Sequence, residues 1–504
     1  MSGPTPVTPI DAAPTDVTDR LDANRVAVDA RLARRLGDAC DSVSVLDEDR
    51  AEAGRDWWPL AIGWAAAGAV PSRPALVARP TDTAQVAAVL ALCDAARVPV
   101  TPAGGRSGVC GASIPLFGGV ALDLCGLAGI GDVDDESLVA DLAAGTFGPD
   151  VESGLRDGHG LTLGHWPQSM DLSTVGGWLA CRGAGQYSNR YGKIEDMVLG
   201  LEVVLADGQI IRTGGAGPRS ATGPDLTQLF VGSEGTLGVI TEGRFRVHPV
   251  PEGEDRRSFG FATFAEGLDA CRRILRRGAS PAVLRLYDGT ESGRNFDQPD
   301  TNVLIVLDEA DPALLGATLD VVDQECQGAA TLDIGLVDRW LTHRNDVSAL
   351  APLWRAGVVV DTVEVSARWA ALPRLYDAVL DALGTVGGTL VASSHQSHAY
   401  TDGACLYFTF AGRPPDDLEG EARDAWVGDY YRRAWDEVTG ATIHAGGAIS
   451  HHHGIGLNRG RFLADGLGGA FDVLSSVKRA LDPHGILNPG KLGLPTALGP
   501  VPWP

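Results

Sequence analysis

The spacing of hydrophobic and polar residues changes several times along the chain, and each change indicates a different structural element. Between about residues 25 and 60, apolar residues recur at helical spacing, as in DANRVAVDARLARRLGDAC. From Arg73 onwards, ALVARP and VPVTPAGG predict two strands, with an amphipathic helix over 81–96 between them. GGVALDL and SLVADLAAGT predict further strands. This order of elements is typical of an α+β nucleotide-binding domain.

The pattern after about residue 200 predicts a second domain. VLGLEVVLADGQIIRTGG predicts a β-hairpin with an Asp-Gly turn, and Pro249, Pro251 and the charged run EGEDRR then indicate a domain boundary. Strands such as AVLRLYD, NVLIVLD and ACLYFTFAG alternate with helices up to about residue 440. The tail is rich in glycine again and carries GGAISHHHGIG, a helix ending in VKRALDP, and ILNPGK.

Composition excludes several classes of function. The 504-residue chain has a formal net charge of -24, which argues against nucleic acid or an anionic membrane as a partner. Its 8 cysteines are scattered with no CxxC pair, which predicts reduced thiols and no metal site. The N-terminal residues lack the features of a signal peptide, and their composition predicts a disordered lead over residues 1–24. The apolar stretch Trp57–Val70 is short and interrupted by Pro59, so we expect no integral membrane segment and a cytoplasmic location.

Three glycine-rich segments are suited to holding a phosphate-bearing ligand. The first, PAGGRSGVCGAS at 102–113, directly follows a strand, and its glycines leave backbone N–H groups uncovered for a pyrophosphate. The segments 167–197 and 232–241 add hydroxyl side chains, backbone amides and more glycines. Taken alone, the first loop is equally compatible with an ordinary glycine turn. Three such segments in one domain indicate a large phosphate-bearing cofactor, although the GxGxxG pattern of the usual dinucleotide fold is missing.

Together these segments resemble the vanillyl-alcohol oxidase superfamily, whose members have a PCMH-type FAD-binding domain. The resemblance is carried by GHWPQSMDLSTVGGWLACRGAGQYSNRYGKIEDM, GPDLTQLFVGSEGTLGVIT, PAVLRLYD, GACLYFTFAG, SHHHGIG and LDPHGILNPGK. It begins at about Arg55 and is closest to the bacterial alkylglycerone-phosphate synthase-like and FAD-linked oxidase proteins. It implies an α+β fold in which a split FAD-binding domain of two α+β subdomains carries an α+β cap domain with an antiparallel sheet. A C-terminal segment would return to the FAD domain.

The resemblance also implies domain limits and a cofactor. The FAD-binding domain is expected over 25–250, with a helical start and the PCMH-type part from about residue 70. The cap or substrate domain is expected over 251–445, and the segment 446–504 is expected to close the active site. The cofactor implied is noncovalent FAD. The residues expected to hold it are Pro102, Ala103, Gly104, Gly105, Arg106, Ser107, Gly108, Gln168, Ser169, Met170, Asp171, Leu172, Ser173, Thr174, Gly176, Gly177, Cys181, Arg182, Gly183, Ala184, Ser233, Glu234, Gly235, Thr236, Leu237, Gly238 and Val239.

Five side chains are candidates for the chemistry. His451, His452 and His453 stand between glycines, and in an extended backbone His451 and His453 would share one face. Imidazoles suit proton transfer near neutral pH, whereas the alternatives are a polar strand end or an adventitious metal site. By pattern alone, Tyr407 is a core residue and Arg285 is either an ion-pair partner or an active-site cation. The resemblance makes all five catalytic, and a base role for Tyr407 requires a lowered pKa.

The residues expected to bind the substrate differ from the pattern of the synthases. They place an arginine for the anionic group of the substrate shortly before a DTxET-like stretch, and here the matching position before DTVEV falls on 349–351, which are Ala, Leu and Ala. A phosphate site needs fixed guanidinium or backbone donors, so a nearby arginine is a candidate replacement. Two histidines also replace basic and polar residues of the synthases. The candidate substrate residues are Arg344, Arg355, His395 and His398.

Two reactions are compatible with these residues. In the synthase reaction of ether lipid biosynthesis, an acyl group is exchanged for a fatty alcohol through a flavin N5 adduct, with no net redox change. In the alternative, an FAD-linked oxidase or dehydrogenase passes hydride from a 2-hydroxy acid or alcohol to flavin N5. A non-enzymatic flavin-binding protein would not need imidazole, phenol and guanidinium groups in one place, so an enzyme is favoured. The partner expected is a small-molecule or lipid-like substrate, and a homodimer is compatible with the sequence.

Overall fold

The computed structural model describes residues 9–215 and 217–503. The first part of the chain forms a four-stranded sheet with helices packed against it. Its elements are β1 (Thr18–Asp19), α1 (Ala30–Ala39), β2 (Ser42–Ser44), α2 (Asp47–Glu52), α3 (Pro59–Ala65), β3 (Ala69–Val70), β4 (Leu76–Arg79), α4 (Thr83–Ala96), β5 (Val100–Ala103) and β6 (Val120–Asp123). The sheet order is β2-β4-β6-β5, and β4, β6 and β5 are parallel. The side chain of Asp82 caps α4 by accepting from the backbone N–H of Gln85, so the helix predicted over 81–96 is confirmed.

The next part of the chain forms a five-stranded antiparallel sheet. Its elements are β7 (Ile130–Asp134), β8 (Val139–Ala143), α5 (Gly148–His159), β9 (Leu161–Thr162), α6 (Val175–Cys181), α7 (Ser188–Tyr191), α8 (Ile194–Met197), β10 (Val198–Val204), β11 (Ile210–Gly214), α9 (Leu226–Phe230), β12 (Val239–Arg246) and β13 (His248–Pro249). The order is β11-β10-β12-β8-β7. Strands β10 and β11 form the predicted hairpin, with Val204 opposite Ile210. Leu142, Leu179 and Phe245 are fully buried between this sheet and its helices.

A seven-stranded antiparallel sheet follows. Its elements are β14 (Gly253–Phe261), α10 (Phe264–Arg276), β15 (Val283–Tyr287), α11 (Gly289–Phe296), β16 (Asn302–Ala310), α12 (Pro312–Glu325), β17 (Ala330–Thr331), α13 (Gly335–His343), α14 (Leu350–Arg355), β18 (Val359–Arg368), α15 (Leu372–Thr385), β19 (Thr389–Ala399), β20 (Gly403–Gly412) and α16 (Gly420–His444). The order is β17-β14-β16-β15-β19-β20-β18. Every residue of β16 is buried, and Arg190 of α7 forms an ion pair with its Asp308 at 2.6 Å. The antiparallel sheet expected for the cap domain is therefore confirmed.

The C-terminal segment contains α17 (Leu463–Leu467) and α18 (Ala470–Leu481) and then returns to the first sheet. The backbone N–H of Val100 donates to the carbonyl of Ile486 at 2.8 Å, and the N–H of Asn488 donates to the carbonyl of Val100 at 2.8 Å. The ammonium group of Lys491 donates to the carbonyl of Ile114 at 2.7 Å. These bonds confirm the expected return of the chain, while the domain limits at 250 and 445 stay a prediction.

The beginning of the chain differs from what its composition predicts. Residues 1–8 of the expected disordered lead lie outside the described residues, but 9–24 are ordered. Strand β1 pairs with β3, and Val17 and Leu21 are 3% and 5% exposed. Val17 packs against α2 and β3, and Leu21 packs in the cluster that contains Trp57 and Trp58, so the structure differs from the expected disorder over 9–24. The helical region expected over 25–60 is interrupted by β2, and α1, α2 and α3 are separate short helices.

Within residues 9–215 and 217–503, no helix combines the length and the hydrophobicity that crossing a bilayer requires.

Candidate active site

A large cavity of about 820 Å³ is lined by most of the residues that the sequence predicts to bind the cofactor or to take part in the chemistry. The three glycine-rich segments form its walls together with side chains of the seven-stranded sheet. The predicted cofactor residues that line it are Pro102, Ala103, Gly104, Gly105, Arg106, Ser107, Gly108, Gln168, Ser169, Leu172, Ser173, Thr174, Gly176, Gly177, Cys181, Gly183, Ala184, Glu234, Gly235, Gly238 and Val239. Six others do not line it, namely Met170, Asp171, Arg182, Ser233, Thr236 and Leu237. The role of all these residues in holding the cofactor stays a prediction.

The walls of this cavity fit a pyrophosphate and a polyol chain. A Cβ atom on Gly104 would lie 2.2 Å from Thr174 Oγ1, and one on Gly105 would lie 1.9 Å from the carbonyl oxygen of Leu172. Only glycine therefore allows these two segments to approach each other. The hydroxyls of Ser113 and Thr174 line the cavity and are buried without a hydrogen-bond partner among the described residues. Buried hydroxyls without partners are rare, and a bound polar ligand such as FAD would satisfy them.

The reactive side chains meet at the other end of the cavity, beside β18 and β20. The hydroxyl of Tyr407 lies 3.3 Å from Nε2 of His453 and accepts a hydrogen bond from Thr362 Oγ1 at 3.2 Å. Nδ1 of His453 lies 3.5 Å from a carboxylate oxygen of Glu364. A phenol, an imidazole and a carboxylate are thus arranged in a row. Of the five candidates for the chemistry, Tyr407, His452, His453 and Arg285 line the cavity and His451 does not, and their catalytic roles stay a prediction.

The pKa of Tyr407 differs from the sequence expectation. Burial raises it, and the negative charges of Glu364 and Asp361 raise it further, although the bond from Thr362 opposes this. The lowered pKa that a base role requires is therefore not found. Tyr407 is a neutral phenol that can donate a proton, and the adjacent His453 is the acceptor within reach.

The histidine segment is not extended. Residues 451–453 form a sequence of bends, because their three backbone N–H groups all donate to one carboxylate oxygen of Glu364 at 2.7–3.1 Å. Nδ1 of His451 and Nδ1 of His452 lie 2.9 Å apart, so the predicted alternation of faces is wrong. Burial lowers the pKa of each of the three imidazoles, which keeps them neutral at neutral pH.

His398 joins the same cluster. Its Nδ1 lies 2.8 Å from the hydroxyl of Ser188, and it brings a ring nitrogen within 4.8 Å of nitrogens of His451 and His452. Neutral imidazoles at such distances also suit a metal ion. The expected absence of a metal stays a prediction.

Two arginines meet in the cavity without a carboxylate. The guanidinium groups of Arg285 and Arg344 lie 5.4 and 5.6 Å from the ring of Trp340, and Arg344 also lies 5.0 Å from the ring of Tyr187. Among the described residues, neither forms an ion pair, and Nε of Arg285 and Nη1 of Arg344 are buried without a hydrogen-bond partner. Arg355, the other candidate, is exposed and does not line the cavity. In a chain of net charge -24, two such guanidinium groups have the chemistry that binding an anion requires.

Sequence reasoning missed three buried residues that support this site. Glu364 and Arg459 are 0% and 1% exposed and form an ion pair behind the histidine segment. Glu291, which is 1% exposed, receives a hydrogen bond from Nδ1 of His395 at 2.8 Å. The only signal for Glu364 was its position between Val363 and Val365 in a strand rich in valine, where a charge is costly unless it is paired.

Asp361 is a further buried acid at the edge of the cavity. It is 1% exposed and accepts hydrogen bonds from the hydroxyl of Tyr431 and, at 3.1 Å, from Nε1 of Trp435. Burial raises its pKa to about 7, although these bonds oppose the shift.

This shift predicts a pH-dependent effect of Asp361→Asn on stability. The unfolded pKa of aspartate is about 3.9, so the folded state loses stability as the carboxyl ionises between about pH 4 and about pH 7. Asparagine keeps the acceptor oxygen and does not ionise. We expect the variant to gain about 2–4 kcal/mol relative to the wild-type protein between about pH 4 and about pH 8. Urea unfolding across this range measures the difference, and a difference independent of pH would contradict the assignment.

Comparisons with known proteins support the interpretation of this cavity as an FAD-binding site. Residues 74–214 match the FAD binding domain family, and residues 250–492 match the C-terminal domain of FAD linked oxidases. The FAD-linked oxidoreductase YgcU of Escherichia coli is 31% identical over 438 residues, which cover 83% of this chain and 89% of that protein. Alkyldihydroxyacetonephosphate synthase of Dictyostelium discoideum is 30% identical over 85% of this chain and 74% of its own length. Glycolate oxidase subunit GlcD of Bacillus subtilis is 29% identical over 84% and 89%.

Solved structures show the same fold. A structure of alkyldihydroxyacetonephosphate synthase has a TM-score of 0.77 at 24% identity, covering 97% of this chain and 89% of that chain. A structure of p-cresol methylhydroxylase has a TM-score of 0.74 at 17% identity, covering 94% and 99%. The split PCMH-type FAD-binding fold and FAD as the cofactor are thereby confirmed. The chain belongs to the FAD-linked oxidases and is an FAD-dependent enzyme.

Proposed function

We propose that this protein exchanges the acyl group of an acylated ketone phosphate for a fatty alcohol, as the resemblance to alkylglycerone-phosphate synthases implies. The observation that carries the proposal is the contact of Tyr407 with His453 in the same cavity as the unpaired Arg285 and Arg344. The reaction of such a substrate requires a pair of groups that transfers a proton and a site that binds its phosphate. The reaction belongs to ether lipid biosynthesis.

FAD, when bound in this cavity, would supply an electron-accepting isoalloxazine ring. We propose that the glycine-rich segments hold it without a covalent bond. Burial raises the pKa of Cys181 to about 12, so this cavity thiol is protonated and unreactive.

The chain's own residues have distinct tasks in this reaction. Arg285 and Arg344 bind the phosphate and thereby fix the substrate carbon near Tyr407. The neutral Tyr407 and His453 move a proton at that carbon, and Glu364 stabilises the imidazolium form of His453. Overall, the bond from carbon to the acyloxy oxygen breaks and a bond to the alcohol oxygen forms. The fatty acid leaves with the proton of the alcohol, so no electrons are gained or lost.

A second candidate is the oxidation of a 2-hydroxy acid, which the neutral histidines favour. The lowered pKa values of His452 and His453 leave these imidazoles able to accept the proton of a substrate hydroxyl. The same two arginines would then bind the carboxylate. This reaction removes two electrons from the substrate, so it requires an external acceptor to reoxidise the cofactor.

The products distinguish the two candidates. The purified holoenzyme is incubated with acyl-dihydroxyacetone phosphate and hexadecanol without an electron acceptor, and mass spectrometry quantifies the ether product and the released fatty acid. We expect one fatty acid for each ether formed. Absence of the ether, together with reduction of an added dye by a 2-hydroxy acid, would replace the first candidate with the second.

The anion site can be tested independently of the reaction type. We expect Arg344→Met to raise KM by about 10- to 100-fold with a smaller change in kcat, because a charge-assisted hydrogen bond to the substrate is lost. Arg355→Met is the matched control, since Arg355 belongs to the same stretch of chain but is exposed outside the cavity. Equal KM values for the two variants would exclude Arg344 from the anion site.

A further inference from the structure

Glu291 lies in the wall of the cavity, and both of its carboxylate oxygens accept hydrogen bonds. One carboxylate oxygen accepts from the hydroxyls of Ser393 and Thr409, each at 3.1 Å. The other oxygen lies 2.8 Å from Nδ1 of His395. Burial opposes ionisation, but the hydrogen bond with His395 and the positive charge of Arg294, whose Nη2 lies 3.3 Å from the first oxygen, lower the pKa of Glu291 below its usual range. The carboxylate therefore only accepts, and the hydrogen between the two residues belongs to Nδ1 of His395.

The opposite nitrogen of the same ring faces Arg285. Nε2 of His395 lies 2.8 Å from Nη2 of Arg285. A guanidinium group can only donate, so Nε2 must be the acceptor, and His395 is the neutral tautomer with its hydrogen on Nδ1. The ring also stacks on Tyr287 and Tyr407, with centroids 5.1 and 4.9 Å away, which restricts its rotation.

This arrangement determines which hydrogen-bond donors of Arg285 remain available to a ligand. One amino group is held by His395, while Nε is buried and has no hydrogen-bond partner in the described part of the chain. Trp340 and Tyr287 lie beside the guanidinium group at 5.4 and 5.7 Å. The remaining donors of Arg285 therefore have a fixed direction inside the cavity, where a ligand anion can meet them.

We propose that Glu291 and His395 are positioning residues for the anion site: Glu291 fixes the tautomer of His395, and His395 in turn orients Arg285 toward the anionic group of the substrate. The ligand class is a carboxylate or a phosphate monoester. This inference rests on the proposed function only in taking Arg285 as an anion ligand, and it holds for either candidate reaction. A carboxylate that merely fills a buried polar position would not need a particular tautomer of its neighbour.

Two substitutions at position 395 distinguish a positioning role of His395 from a purely structural role. Glutamine places its amide oxygen near the position of Nε2, so His395→Gln retains an acceptor for Arg285. Asparagine is shorter and places its amide near Nδ1, so His395→Asn retains a donor for Glu291 but no acceptor for Arg285. Asparagine leaves a larger gap than glutamine, so the packing effect of each variant is measured separately as its free energy of unfolding in urea. A purely structural role predicts that the loss of anion affinity follows the loss of stability, whereas a positioning role predicts a loss of affinity for His395→Asn beyond what its stability explains.

The readout is the binding of inorganic phosphate and of oxalate to the holoenzyme, measured by titration calorimetry without turnover. We expect His395→Asn and Glu291→Gln to weaken binding by about 10-fold or more and His395→Gln to stay within about 3-fold of the wild-type protein. Stronger binding of phosphate than of oxalate would identify a phosphate ligand, and the reverse order a carboxylate. His248→Gln, which alters a half-buried histidine outside the cavity, is the control and should bind like the wild-type protein.

The outcomes separate this inference from the proposed function. If Arg285→Met weakens binding while Glu291→Gln and His395→Asn do not, the positioning role is wrong and the anion site stands. If Arg285→Met itself binds both anions like the wild-type protein, Arg285 is not an anion ligand and the substrate site of the proposed function fails as well. Equal weakening by His395→Asn and His395→Gln would also overturn the positioning role.

Discussion

The Tyr407→Phe variant is expected to retain FAD and to lose about 10²- to 10⁴-fold in kcat, the usual contribution of a group that transfers a proton in the transition state. Its hydroxyl is the atom in contact with His453, at 3.3 Å, and with Thr362, at 3.2 Å. The ring itself stacks on His395, and phenylalanine preserves that contact. The loss should therefore appear in kcat rather than in cofactor content or in KM.

Tyr430→Phe is the matched control for this experiment. Tyr430 is also buried and its hydroxyl lies 3.2 Å from that of Thr389, but it does not line the cavity. We expect its kcat to equal that of the wild-type protein. Steady-state kinetics and the flavin absorbance of both variants test the assignment. Wild-type turnover by Tyr407→Phe would remove the phenol from the mechanism.

The largest effect on stability is expected from Glu364→Gln. The carboxylate accepts from three successive backbone N–H groups and from the hydroxyl of Ser450 at 2.8 Å, and it is paired with Arg459. Glutamine removes the charge and turns an NH₂ group toward some of these donors. The guanidinium group of Arg459, which is 1% exposed, would remain buried without its counter-ion. Breaking a buried pair in this way costs about 3–5 kcal/mol.

Urea unfolding of the holoenzyme measures this loss of stability. Glu254→Gln is the control, because Glu254 forms an ion pair with Arg256 in which its side chain is 37% exposed. Exposed pairs contribute about 0–1 kcal/mol, so the control should lie within that range. Activity should fall with Glu364→Gln even where the protein remains folded, since the backbone of 451–453 is held by this carboxylate. A change in the free energy of unfolding below about 1 kcal/mol would contradict the buried pair.

Local patterns in the sequence predicted much of the fold. Helix α4, the hairpin of β10 and β11, and the strands that carry Arg285 and Tyr407 all follow from periodicity and turn residues. The glycine-rich segments predicted the cofactor cavity, because only glycine permits the close approach seen at Gly104 and Gly105.

The buried contacts that hold the site residues in place could not be predicted in the same way. Glu364 and the backbone N–H groups it binds are separated by 87 to 89 residues, and Glu291 and His395 by 104. Such contacts depend on the order and register of the strands in the seven-stranded sheet, which no local pattern specifies. The choice between Arg344 and Arg355 likewise required the position of α13 and α14 relative to the cavity. The bends at 451–453 were missed because the carboxylate that causes them lies on β18.

In the proposed reaction, this FAD-dependent enzyme exchanges groups on an anionic substrate without a net transfer of electrons. The most direct test follows the flavin absorbance of the anaerobic holoenzyme with an electron-accepting dye present. Acyl-dihydroxyacetone phosphate, 2-hydroxy acids and alcohols are added in separate experiments. We expect the acyl ketone phosphate alone to change the flavin absorbance, fatty alcohol to restore it, and the dye to stay oxidised. Lasting flavin reduction by a hydroxy acid or an alcohol, with electrons appearing in the dye, would contradict the account and establish an oxidoreductase.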